Sequence, residues 1–347
     1  MTVAVEERMG LTSGARLPAA WVDAMDLPLI VAPMFLVSSV ALVAASALNG
    51  VVGAIPASNA RTSDILDTWL GELAATLAAG RADGRPAAPW ALNLTVHRTN
   101  ARLPSDLAVC IKHRVPLVIT ALGSPRAVVD QIHAYGGVVF ADVNTPDFAR
   151  KAADAGVDGL VLITAGAGGH TGQMAAPAFV AAVREFWDGI VVVSGGMTEG
   201  RHLRAAQAMG ADLAYMGTRF IASHESSAVP AYKDMLVAST FRDIICTAAI
   251  TGAPANKLRP SLVAAGLDPD NLPARGGFDL TNRDRDVKAW KDLWSAGHGV
   301  GRIAAVDAAA AIIATLRADY AATVRREQAD PFTRKALMPA ESGVSRS

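Results

Sequence analysis

Eight short apolar runs punctuate the chain, at Leu29–Ala32, Val51–Ile55, Trp90–Leu94, Pro116–Thr120, Val138–Asp142, Gly159–Ile163, Ile190–Ser194 and Leu213–Met216. Apart from Asp142 they carry no charge, and they are continuously apolar rather than alternating, as in parallel strands covered on both faces. Between them lie segments such as ILDTWLGELAATLAA, PDFARKAADAG, PAFVAAVREFW and GRHLRAAQAMG, with apolar residues at helical spacing. Ser63, Ser124, Thr145 and Thr198 are placed to start helices, and Gly156 and Gly210 to stop them. Eight parallel strands with crossover helices predict an α/β fold, a (β/α)8 TIM barrel. An open doubly wound sheet would hold the same elements, but the glycine fingerprint of its first turn is absent.

From Leu27 to Ala60 there is no charged residue, a length that could span a bilayer. Pro33, Asn49-Gly50, Gly53 and Pro56 break it into strand, buried helix and strand, so it reads as barrel core. After the eighth strand the rhythm changes. Residues 1–222 are expected to form the barrel, and 223–297 a small cap beside its mouth with at most two strand-like pieces. Residues 298–347 are expected to supply a helix from about Ile303 to Arg326 that returns to the barrel, followed by an irregular tail after Ala329.

Composition narrows the partners. Of 347 residues 51% are hydrophobic and 18% charged, which excludes a disordered chain and leaves ample material for a large core. The 32 basic and 32 acidic residues cancel without a dense basic run, so neither nucleic acid nor an anionic membrane is expected as a partner. Two cysteines, Cys110 and Cys246, build no disulfide framework or cysteine zinc site. The opening MTVAVEERMG lacks the basic and apolar regions of a secretory signal, and a cytoplasmic location is expected. Nothing in the sequence sets the oligomeric state, and a homo-oligomer is compatible with it.

A barrel of this kind works at the C-terminal ends of its strands, and the loops after the seventh and eighth strands usually hold phosphate. Those loops read Ser194-Gly195-Gly196 and Met216-Gly217-Thr218, where glycine lets backbone N–H groups approach an anion. The loop after the sixth strand, TAGAGGHTG, surrounds one histidine with small residues. His170 is therefore the candidate for moving a proton near neutral pH, whereas His113, His133, His202 and His224 read as structural. Metal binding is not expected: no H-x-H, H-E-x-x-H or cysteine pair occurs, and Asp142 is the lone carboxylate at a strand end. No cysteine stands in the sixth-strand loop and no lysine at a strand end, which removes thiol and Schiff-base chemistry. A phosphate anchor, a glycine-lined slot and one histidine fit flavin mononucleotide, FMN, whose ring supplies the redox chemistry.

AGGHTG at 167–172, SGG at 194–196, YMGTRF at 215–220, APM at 32–34 and LNL at 92–94 resemble the nitronate monooxygenases, formerly called 2-nitropropane dioxygenases. The resemblance runs from Leu29 to Arg302 and takes in WSAGHGVGRI. It implies an FMN across the barrel mouth, with the backbone of Met34 against the ring and Asn93 bonded to its edge. It also implies that Gly168 and Gly169 face the cofactor, that Gly195, Gly196, Gly217 and Thr218 hold the phosphate, and that His170 is the acid/base. Asp142 is expected either to reach the ribityl chain or ring, or to cap a helix, as Asn144 and Thr145 equally could. Ile163-Thr164, Gly166 and His298 stand where the family carries Gln, Glu and Gln, departures that bear on substrate rather than cofactor. His97-Arg98 are expected to form either an anion-binding rim or a solvated loop.

The resemblance implies oxidation of nitroalkanes or alkyl nitronates with O2. An NAD(P)H-dependent flavin reductase, acting on quinones or enoyl thioesters, would share every cofactor residue and differ in electron source. A non-flavin barrel acting on a sugar phosphate would share the phosphate glycines but not the AGGHTG slot.

Overall fold

The computed structural model describes residues 16–272 and 292–337. Its strands in chain order are β1 (Leu29–Val31), β2 (Val52–Pro56), β3 (Trp90–Thr95), β4 (Leu117–Ala121), β5 (Val138–Val143) and β6 (Gly159–Leu162). There follow β7 (Gly169–His170), β8 (Ile190–Ser194), β9 (Leu213–Met216), β10 (Ile244–Thr247) and β11 (Ala255–Leu258). All but β7, β10 and β11 close into a parallel barrel in the order β1-β2-β3-β4-β5-β6-β8-β9, sealed by the pairing of Ile30 with Tyr215. This is the (β/α)8 barrel predicted from the apolar runs.

Alternation along each strand sorts side chains into two cores. In β5, Val138 and Phe140 point into the barrel, while Val139, Ala141 and Val143 join the shell beneath the helices. Both faces are buried, which is why the runs read as continuously apolar. At the N-terminal end of the barrel the helix Ala19–Ala24 presses Trp21 onto Phe140, ring centroids 6.2 Å apart. The uncharged stretch resolves into β1, the helix Val40–Ala47 and β2, all in the shell or interior. No helix among the described residues is long and apolar enough to cross a membrane.

Helix starts shift by a residue where a better oxygen is available. Thr62, not Ser63, caps the helix after β2 by accepting from Ile65 N, and Glu199 with His202 forms a capping box where Thr198 was expected to begin the helix. Thr145 caps as expected, accepting from Phe148 N at 3.2 Å. Gly156 and Gly210 follow helix ends with φ of 86° and 99°, the left-handed conformation that glycine tolerates.

Beyond β9, strands β10 and β11 form an antiparallel pair that β7 extends, so part of the sixth-strand loop belongs to the cap sheet. The last long helix runs Ala309–Ala329 rather than from Ile303, because residues 303–308 instead make an extended connection, with Asp307 bridging Ser223. It buries Ile312, Ile313 and Leu316 against the helix Gly200–Ala208, where a side chain at Gly200 would strike the Leu316 carbonyl. The expected irregular tail is corrected in its first part: Pro331–Leu337 is a helix, begun by proline at a position that needs no N–H. The opening MTVAVEERMG, residues 273–291 of the expected cap and the end of the tail lie outside the described residues.

Candidate active site

The loop after β6 is held in place from three directions. Thr164 Oγ1 donates to Ser194 O, Thr171 Oγ1 donates to Thr164 O, and Thr171 N donates to Pro254 O. Asn256 of β11, fully buried, donates its side-chain amide to Ala165 O at 3.1 Å and Ala167 O at 2.7 Å. Pairing of Ala255 with His170 then presents the imidazole from a sheet edge rather than from a free loop.

His170 Nε2 lies 3.3 Å from Thr251 Oγ1, whose own hydroxyl proton is given to Ala253 O. Burial, and after it the nearby charge of Lys257, push the imidazolium pKa down to about 4, so the ring is neutral at pH 7. Lys257 is itself buried on β11, donates to Leu293 O at 3.0 Å, and is lowered by burial to about 7.

The glycine turns meet at the next two strand ends. Gly195 and Gly196 have φ of 100° and 71°, and a Cβ on Gly196 would enter open space. Gly196 N and His298 N both donate to Gly166 O, and Gly297 N donates to Thr218 Oγ1 at 2.9 Å. These bonds bring the loops after β6, β8 and β9 together with the Gly297–His298 segment. Ser194, by contrast, gives its hydroxyl to Leu162 O, so it ties β8 to β6 instead of facing a ligand. Met216 is buried in β9 and accepts from Ala32 N.

The direction a side chain would take at Gly168 points at the Ala296–Gly297 backbone, 2.7 Å from Gly297 N, so a chain crossing requires glycine there. The backbone of Met34 is engaged: its N–H donates to Ser38 Oγ, and its carbonyl accepts from Val37 N, Ser38 N and Asn59 Nδ2. The Met34 side chain instead covers Gly217, with Sδ 3.5 Å from a Cβ placed there. Asn93 donates to Ile119 O at 3.0 Å, leaving its carbonyl oxygen as an acceptor at the mouth. Asp142 caps no helix, since Thr145 does so.

Several polar atoms are sealed from solvent with no partner in the structure: Asp142 Oδ1, Thr198 Oγ1, Tyr215 OH, Asn256 Oδ1, Ser295 Oγ and Arg102 Nε. Native interiors rarely leave such groups unmet, and ligand sites are one place that does. Thr198 and Tyr215 went unnoticed in the sequence because a threonine at a helix start and a tyrosine in a strand read as structure. For Thr198 the signal is its place two residues after Gly196, which the sequence does show; for Tyr215 it is proximity to Asp142, which exists in space alone. His113, His133 and His202 bond Asp67, Asp158 and the Thr198–Glu199 backbone, as structural histidines. His97 bonds Thr99, Arg98 is exposed, and the His298 ring meets Phe241 edge-on with centroids 5.8 Å apart. Among the described residues no three His, Cys, Asp or Glu side chains could hold a metal ion.

The site thus sets a histidine beside glycine-lined turns at the mouth of a (β/α)8 barrel. The chain belongs to the nitronate monooxygenase family, whose family model matches residues 20–272. It is similar to the nitronate monooxygenase of Paraburkholderia phytofirmans, with 31% identity over 176 residues covering 48% of each chain. It is also 28% identical over 251 residues, 72% of this chain and 67% of the relative, to a Mycobacterium tuberculosis (3aS,4S,5R,7aS)-5-hydroxy-7a-methyl-1-oxo-octahydro-1H-indene-4-carboxyl-CoA dehydrogenase. The matches span about half the length of several curated relatives. The fold is shared with FabK from Thermotoga maritima, at a TM-score of 0.70 and 24% identity over 95% of this chain and 99% of that one.

Proposed function

We propose that this chain is an FMN-dependent enzyme that oxidises alkyl nitronates or nitroalkanes with O2, with His170 as the acid/base. The observation that supports it most is the unpartnered Thr198 hydroxyl beside the open Gly195–Gly196 turn, one loop away from a neutral imidazole. Gly195, Gly196, Gly217 and Thr218 would hold the phosphate, with Thr198 as a further donor. Asn93, Asp142 and the side chain of Met34 would meet the ring, and Gly169 would border it from β7. Bound there, FMN supplies the electron transfer to O2 that no side chain of this chain can perform.

The chain's own part is proton transfer and exclusion of water. The His170 imidazole takes the α-proton of a neutral nitroalkane, and the imidazolium so formed pairs with the nitronate anion. Its low pKa keeps the base form fully populated at pH 7 but makes it weak, and the adjacent anion is what strengthens it during the transfer. Preformed nitronates need no such step.

The relative named as a CoA-thioester dehydrogenase favours a second reading, an NAD(P)H-dependent reductase with the same cofactor residues. The purified protein should be yellow with one FMN per chain. A preparation that stays colourless after FMN addition refutes both readings, and rapid anaerobic bleaching by NADH favours the second.

A further inference from the structure

Asp142 and Tyr215 each stand one residue before the end of their strands, β5 and β9. Strand alternation places both on the inward face near the mouth: Phe140 and Tyr215 line the barrel interior, and Asp142 follows Phe140 by two, one layer nearer the mouth than Tyr215. The inward positions nearest the mouth on the other strands are Ala32, Pro56, Asn93, Ala121, Ile163 and Ser194. None of those is charged. Asn93 has spent an amide proton on Ile119 O and Ser194 its hydroxyl on Leu162 O. Asp142 Oδ1 and Tyr215 OH remain unpartnered, though the carboxylate is close enough to raise the phenol pKa further than burial already does.

Leaving a buried polar atom unmet is costly, and two of them near each other in adjacent layers mark a place for a polar group. Nothing cationic faces them from any barrel strand, so the environment disfavours charge on either group. Burial accordingly holds the Asp142 carboxyl at about 7, which leaves it largely protonated in mildly acidic solution and partly so at neutral pH. A carboxylic acid and a phenol together offer two neutral donors. The partner that suits them is an edge rich in acceptors, such as the carbonyl-bearing edge of a flavin ring.

We infer that Asp142, as the neutral acid, and Tyr215 form a buried donor pair that grips an acceptor edge of the bound flavin and takes up a proton when the flavin binds. The inference rests on the flavin reading above. It assigns the barrel interior a proton-holding site separate from His170, which stands on β7 in the cap sheet.

The experiment is an FMN titration of apoprotein at pH 7, 8 and 9, followed by flavin fluorescence, with calorimetry at pH 8 in two buffers of different ionisation heat. The phosphate is fully ionised across this range, its second pKa being about 6. For the wild type the Kd should rise at least tenfold from pH 7 to 9, with net proton uptake at pH 8. Asp142→Asn keeps a donor but cannot titrate, so its Kd should change less than twofold. Tyr215→Phe should bind several-fold more weakly at every pH and keep the wild-type slope. A Kd that is flat or that tightens with pH in the wild type overturns the inference, as does an unchanged slope in Asp142→Asn; a buried water between the two groups would give the flat result. Absence of FMN binding at all three values refutes the flavin reading itself, and is told apart because no Kd is then measurable.

Discussion

Replacing Asn256 by alanine removes the cap strand's hold on the loop that carries His170. The side-chain amide makes two good hydrogen bonds, to Ala165 O and Ala167 O, and a longer one of 3.4 Å to Thr171 Oγ1. Each bond contributes about 0.5–1.5 kcal/mol net, and each carbonyl left dry costs about 1–3 kcal/mol. Against this, the variant removes the amide oxygen, which has no partner in the wild type, and so relieves one penalty of the same size. The balance is a loss of about 2–3 kcal/mol, centred on residues 164–171. Urea unfolding measures the total, and amide hydrogen exchange locates it. Protection should fall at Ala165, Ala167 and Thr171, whose N–H groups bond Met174 O, Thr164 O and Pro254 O, while Leu160 and Val192 in the barrel strands stay protected. A stability loss below about 0.5 kcal/mol, or exchange that rises equally in β6 and β8, would refute the claim that Asn256 staples this loop.

Other perturbations probe neighbouring parts of the site. His170→Asn should lower turnover of neutral nitroalkanes by about 10²-fold or more and that of preformed nitronates much less, with FMN content unchanged; equal losses would remove the imidazole as carbon base. Gly217→Val should fold, since a Cβ there meets Met34 and Ala32 at 3.5–3.6 Å, yet it should retain little FMN; full occupancy would place the phosphate elsewhere. Because the Asp142 pKa is raised by burial to about 7, its contribution to stability is fully present below about pH 4 and is lost as pH rises through 7. Asp142→Asn apoprotein should therefore gain on the wild type between pH 5 and 8, up to a limit of about 4 kcal/mol set by 1.36 kcal/mol per unit, and parallel denaturation profiles would contradict the raised value.

The barrel was legible along the chain because its evidence is local. Strands covered on both faces must be apolar at every position, so runs such as VVF and IVVV announce themselves without knowledge of their neighbours. Glycines at the ends of the last two strands and one histidine in a loop of small residues are local too, since turn geometry constrains the residues that make it. What the chain could not show is which surfaces meet. Nothing in GGHTG indicates that Gly169 and His170 pair with Ala255 and Asn256, more than 80 positions later, because a two-residue strand has no periodicity to read. Only the crossing of Ala296 and Gly297 shows which neighbouring backbone the missing side chain of Gly168 makes room for. Tyr215 read as an ordinary strand residue until the closed barrel set it near Asp142, and Thr198 as a helix start until Glu199 proved to be the cap. Alternation specifies that a residue points inward, but closure of the sheet decides what it faces there, and the neutral imidazole and raised carboxyl follow from that burial.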